Sequence, residues 1–190
     1  GSLAFTPGQL NLDALEVSLG GGKIKASGTL SENLDFDIQV SQMQVAHWLP
    51  QLSGIVAAEL ALSGPVKSPI VEGYVSARRP SFAQWRGDLI KAQLSINLAS
   101  QAPASLSLQA RGLHNAERLL GDLDVQAQGV AEDHALTLQL TGGEQELLVG
   151  AQGGYQAEHG WQGEVSKMTL TPSPQAPAPW TLSAAAPLEI

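Results

Sequence analysis

The sequence predicts an all-β protein built on one long amphipathic sheet, with one or two very short helices. Three observations carry this. Apolar and polar residues alternate strictly in run after run, the period of a half-buried strand. The runs recur at a spacing of roughly 8–14 residues between Gly-, Pro- and Ser-rich turns. Helical periodicity is almost absent.

Taken in order, the first run is LNLDALEVSLG (residues 10–20). Its apolar set moves from Leu10 and Leu12 to Leu15, Val17 and Leu19. A one-residue slip flips the buried face, so it marks a β-bulge or a strand break. From Lys23 to Leu30, Ile24 and Ala26 alternate with Lys23 and Lys25. In Leu34–Ser41 the apolar Leu34, Phe36, Ile38 and Val40 oppose Asp35, Asp37 and Gln39. Val56, Ala58, Leu60 and Leu62 follow, then Ile90, Ala92, Leu94, Ile96 and Leu98, then Leu106, Leu108 and Ala110, then Leu123, Val125 and Ala127. HALTLQLTGGEQELLVGAQGGY (134–155) reads as a hairpin, with Leu136, Leu138 and Leu140 facing Leu147, Val149 and Ala151. In WQGEVSKMTL the set slips again, from Trp161, Gly163 and Val165 to Met168 and Leu170.

Two segments have weak helical spacing. QVAHWLPQLSG places Val45, Trp48, Leu49 and Leu52 on one face, and Pro50 limits it to a turn or two. LHNAERLLGD places Leu113, Ala116, Leu119 and Leu120 together. Each precedes a Gly-started strand, which hints at two weak sub-repeats over about 20–100 and 101–190. LGGGK, SGPVKSP, TGGEQ and GGYQAEHG read as turns, and TPSPQAPAPW as a Pro-rich loop.

Composition narrows the function. Charged residues make up 15% of the chain, against roughly 25% in soluble domains. Aromatics are only 5%, so a core would be filled by Leu, Ala and Val. The net charge of −8 opposes nucleic acid, whose phosphates need cations, and charge-driven docking on an anionic membrane surface. The absence of cysteine excludes disulfides, Cys-based metal sites and thiol catalysis. No apolar run reaches the roughly 18 residues of a membrane span. Gly1-Ser2 reads as a cloning scar and residues 3–190 as a single segment of a longer protein.

No catalytic constellation emerges. GGGK at 20–23 lacks the P-loop pattern, because Ile24 follows the lysine and Val17 stands where glycine is required. The histidines His47, His114, His134 and His159 form no H-E-x-x-H, and there is no G-x-S-x-G elbow. Glu132, Asp133 and His134 have metal-ligand chemistry, but at a turn such a cluster reads as a solvated loop. Arg78 and Arg79 before Pro80 read either as a solvated loop or as a small basic spot for a headgroup or partner. Trp85 and Trp161 read as rim packing. The expectation is no enzyme, no metal and no cofactor.

Three stretches together resemble the TamB family, within the wider AsmA-like group. In residues 62–98, LSGPVKSPIVEGYVSARRPSFAQWRGDLIKAQLSINL, the matching positions are Gly64, Val66, Pro69 and Gly73. LHNAERLLGDLDVQAQGVAEDHALTLQL supplies a connector into a Gly-marked strand pair. In GWQGEVSKMTLTPSPQAPAPWTLSAAAPLEI the matches are Trp161, Gly163, Trp180, Leu182, Pro187 and Leu188.

The resemblance implies a strongly twisted sheet curled lengthwise into a taco-like hydrophobic trough. It implies a protein in the periplasm of a Gram-negative bacterium, anchored in the inner membrane and reaching the outer one. Its ligands would be phospholipid acyl chains. Its partner in outer-membrane protein assembly would be a TamA-like barrel of the Omp85 type, touched through regions outside this chain. The expected groove lining is Ile24, Leu34, Phe36, Ile38, Val40, Val56, Leu60, Leu62, Ile90, Leu94, Ile96, Leu98, Leu106, Leu108, Leu123, Val125, Leu136, Leu138, Leu140, Leu147, Val149, Val165, Met168, Leu170 and Leu182. Two other readings stand beside it: a closed β-sandwich scaffold or adhesion module, and a chaperone surface that pairs its edge strand with unfolded outer-membrane proteins. Open strand edges at both ends lead us to expect edge-to-edge self-association.

Overall fold

Alternation of this length leaves the chain one economical solution, an antiparallel meander, and that is what forms. The computed structural model describes residues 1–99, 102–156, 160–172 and 178–189. His159, Ile190 and most of the Pro-rich stretch lie outside the described residues. The described residues make one fifteen-stranded sheet. Its strands are β1 (Leu3–Thr6), β2 (Gln9–Leu19), β3 (Gly22–Leu30), β4 (Asn33–Gln44), β5 (Leu52–Pro65), β6 (Ile70–Phe82), β7 (Trp85–Arg86) and β8 (Leu89–Asn97), followed by β9 (Ala104–Asn115), β10 (Arg118–Val130), β11 (Asp133–Gly142), β12 (Glu146–Gln156), β13 (Gly160–Thr171), β14 (Trp180–Thr181) and β15 (Ala186–Glu189).

Spatial order follows chain order throughout. The lane between β6 and β9 is occupied by two consecutive strands. β7 pairs Ser81 and Phe82 on one side and His114 and Asn115 on the other; β8 runs below it. The lane breaks at Gly87–Asp88, whose amides turn to Pro80 O (3.0 Å) and Arg111 O (2.9 Å). β14 and β15 likewise share the lane beside β13.

Both expected slips are register shifts. One lies between Leu12 and Leu15 in the β2–β3 ladder, the other between Gly150 and Ala151 opposite β13. The sequence reading did not anticipate three more. They fall between Val40 and Met43 of β4, between Ser53 and Ile55 of β5, and around Gly121 of β10. Gln42 and Arg79 take left-handed φ values of 54° and 48° at two of these. Together with the break at Gly87–Asp88, these three irregularities lie within about three residues of one cross-sheet row, Met43–Val56–Ala77–Ile90–Ala110–Leu123. Bulges sharpen local twist and re-aim side chains, so the regular alternation is interrupted along this seam.

The first expected helical segment is a single 3-10 turn, Val45–His47. The second is corrected: LHNAERLLGD is a hairpin. β9 runs on to Asn115, Ala116 and Glu117 make the turn, and β10 starts at Arg118. Ala116 adopts φ 53° and donates its N–H to Gln84 O at 2.8 Å. A segment this short cannot offset helix nucleation against two strands already in register.

Among the described residues no second layer covers the sheet. Substantial packing occurs only between neighbouring lanes, apart from the 3-10 turn against β5. The closed sandwich is therefore not formed. The accessible surface is 12248 Å², against roughly 8,600 Å² for a compact globule of this mass. Ala58, Ala110 and Ala151 are the buried apolar residues among those described, at 7%, 2% and 6% exposure.

Candidate hydrophobic groove

Paired residues in antiparallel strands project to the same side, so the ladders can be followed across the sheet as rows. One row is Val17–Ile24–Val40–Ala58–Val75–Ala92–Leu108–Val125–Leu138–Val149–Met168. The next is Leu15–Ala26–Ile38–Leu60–Gly73–Leu94–Leu106–Ala127–Leu136–Ala151–Val165–Ala186, ending on β15. A third carries Leu12, Gly28, Phe36, Leu62, Val71, Ile96, Ala104, Gly129, His134, Gly153, Gly163 and Leu188. The upper row extends from Ala110 and Leu123 through Leu140, Leu147 and Leu170 to Trp180. The bottom row joins Leu10, Leu30, Leu34 and Gly64. Five rows thus make one apolar face across every lane from β2 to β13.

Every expected lining residue lies on these rows except Leu98 and Leu182. Leu98 sits just past β8, 59% exposed, with its N–H on Pro69 O at 2.9 Å. Leu182 follows β14 and bonds to Met168 O at 2.9 Å. The rows also hold residues outside the expected set: Leu15, Val17, Val71, Val75, His134 and Trp180.

Exposure alternates with the rows. β4 and β11 are half-buried at each position on the rows and exposed at nearly every position between them. A single sheet with no cover can screen one face only by curving toward it. All three buried alanines lie on that face.

The polar face is solvated. Arg111 spans to Asp124 with two bonds of 2.8 and 3.3 Å, and this pairing raises the guanidinium pKa above its ordinary value. Lys23 meets Glu16 at 2.9 Å; the hydrogen bond and charge of Lys23 hold the Glu16 carboxyl below its ordinary value. A shallow depression of about 650 Å³ on this face is bordered by Glu16, Lys25, Asp37, Glu59 and Glu72.

The apolar face carries one polar arrangement that sequence reasoning missed. The Trp161 indole reaches over two lanes and donates Nε1–H to His134 Nε2 at 2.7 Å. His134 Nδ1 lies 3.2 Å from Val130 O, so both ring nitrogens are used by the tautomer protonated at Nδ1. The indole lies over Gly153 and Gly163. A Cβ at either glycine would stand 2.7 or 2.6 Å from its ring atoms. Glu132, Asp133 and His134 are not brought together as ligands; Asp133 accepts from Gln152 and His134 turns to the indole. Trp161 thus packs on the apolar face, over Gly153 and Gly163. Beside it a recess of about 390 Å³ is lined by Ile96, Leu98, Ala104, Leu106, Ala127 and His134, among others.

A single curved sheet with one unbroken apolar face is the architecture the three matching stretches implied, and the family comparison agrees. The family model described as TamB, N-terminal domain, matches residues 2–190. The chain belongs to this family. The translocation and assembly module subunit TamB of Haemophilus influenzae is 26% identical over 136 residues, 70% of this chain. The match covers 10% of that relative, so the chain spans about a tenth of its length. No solved structure matches. Among the described residues, no helix is long and apolar enough to cross a membrane.

Proposed function

We propose that this chain is a non-enzymatic periplasmic segment whose apolar face carries phospholipid acyl chains between the inner and outer membranes. One observation carries the reading: the apolar rows cover one face of the sheet from β2 to β13, and among the described residues no protein layer lies over them. Water is a costly medium for an acyl chain, at about 0.8 kcal/mol per exposed CH₂. A continuous strip of Leu, Val, Ile and Ala relieves that cost at every position and needs no directed polar contact. Membership of the TamB family supports the setting. The module's outer-membrane barrel, TamA-like and of the Omp85 type, would be met by parts of the protein outside this chain.

Mass spectrometry of the purified chain tests the reading. Phospholipid should co-purify with it. Leu138→Glu, at the centre of a row, should keep the strand circular dichroism and lose the lipid. Unfolding by that substitution, or an intact lipid load, would refute the groove.

The edge-pairing reading has its own support. β1 has a neighbour on one side only, and its Leu3 and Phe5 are 67% and 78% exposed. Self-association through this edge should appear as dimers in sedimentation, abolished by Ala4→Pro.

A further inference from the structure

Across β9 and β10 the apolar face dips. The third row steps down from Ile96 to Ala104 and Gly129, then rises at His134. The row above it steps from Leu106 to Ala127 and returns at Leu136. Gly129 has φ 138°, and a Cβ there would collide with the Asp133 carbonyl and the Cα of His134, so the gap cannot be filled from β10. Other glycines of this row are covered by a ring, Gly28 by Phe36 and Gly153 and Gly163 by Trp161. Opposite Gly129 the imidazole is turned to the indole instead. The dip stays open as the recess of about 390 Å³, within the roughly 300–1,000 Å³ of small-ligand sites.

Bonds fix its borders. On one side stands the His134 ring, held between Val130 O and the Trp161 indole. Below, the turn from β10 to β11 is tied to β12, since Tyr155 donates to Ala131 O at 2.8 Å. On the other side, Leu98 donates to Pro69 O at 2.9 Å and Ala102 to Ala99 O at 3.2 Å. Leu98, which left the rows, thus borders the recess. Walls set in advance spare a ligand much of the ordering cost of binding.

Charge decides which end of a lipid enters. Among the described residues the lining includes the carboxylate of Glu132 and neither lysine nor arginine. A carboxylate opposes a phosphate. The methyl end of an acyl chain is uncharged and gains from each CH₂ taken out of water. We infer that this recess takes the methyl end of a single acyl chain, the rest of which lies along the rows. The inference rests on the acyl-chain reading and adds to it a fixed station on the strip.

Photo-crosslinking with the whole chain tests it. Two palmitoyl lysophosphatidylglycerols carry a diazirine, one at the methyl end and the other beside the carbonyl. Peptide mapping after irradiation should find the methyl-end label on Leu106, Ala127 and His134, and the carbonyl-side label elsewhere on the apolar face. Ala127→Leu levels one row and Ala104→Leu the other. Each should weaken binding about tenfold, as for roughly two methylenes excluded, and move the methyl-end label off His134. Circular dichroism checks that each variant keeps its strands, and the wild-type map decides even if neither does. A methyl-end label spread evenly along the rows overturns the inference. Carbonyl-side label concentrated in the recess overturns it too, and so does a folded variant that keeps the label on His134. Absence of label from the apolar face with both probes refutes the acyl-chain reading itself, a distinct outcome.

Discussion

The two faces of this sheet are made by the same strands, residue by residue, yet satisfy polar groups in opposite ways. The outer face carries many charges and secures few of them. Its ion pairs, such as Lys23–Glu16 and Arg111–Asp124, involve side chains 34–58% exposed. Water does most of the work there, and solvent screening leaves such pairs little to contribute. Among the described residues the inner face has the polar pair His134–Trp161, joined at 2.7 Å over a shelf of two glycines. Parity along the strand, rather than position along the chain, decides which rule a side chain obeys.

The largest departure should come from placing a charge where the inner face is tightest. Ala110 is 2% exposed between Ile90 and Leu123. Ala110→Glu should cost about 3 kcal/mol or more in urea unfolding, and a loss below about 1 kcal/mol would show the face to be roomier than its rows suggest. Trp161→Ala should cost about 2 kcal/mol, reduced from a core value by its partial exposure. His134→Ala should cost about 1 kcal/mol, for the orphaned indole N–H. The double variant should cost less than the sum, because the two share one bond; strict additivity would mean the pair is not coupled. On the outer face, Arg111→Gln should cost about 0.5 kcal/mol, and a value comparable to Trp161→Ala would erase the contrast between faces.

The smallest effect concerns acid. The Glu16 carboxyl lies below its ordinary value of 4.5 because Lys23 bonds and attracts it and Lys25 adds to the field. A depressed folded value contributes stability above the unfolded pKa, and this is lost as the pH falls through the folded one. Glu16→Gln should therefore flatten a slight acid-side slope in unfolding below about pH 4. An unchanged slope would assign it to other carboxylates.

Much of this architecture was legible because alternation is local. Ile24 to Leu30, Leu34 to Val40 and Leu136 to Leu140 declare their inner face within eight residues, and the slips at Leu12 and Val165 announce their bulges. The slip from Val40 to Met43 is written in the sequence in the same way. What stayed hidden depends on neighbours in space. Leu113–Leu120 has helical spacing, and only the strands beside it make it a hairpin. The split of β7 from β8 follows from bonds to Pro80 and Arg111 in adjacent lanes. Trp161 meets His134 across 27 residues of sequence, and no spacing rule connects them.

Among the described residues each lane of this sheet packs chiefly against the lane before and the lane after it, the Trp161–His134 bond reaching one lane further. Such a molecule behaves as a one-dimensional ladder, whose stability is a sum of rungs and junctions between them. Protection from hydrogen exchange should therefore peak in the middle rungs and decline toward β1 and β14, with fraying from both ends rather than all-or-none melting. Evolution can lengthen such a ladder by duplicating hairpins, since a new rung needs only one compatible neighbour and no rearranged interior. The length of the sheet is then a matter of how many rungs are written into the gene.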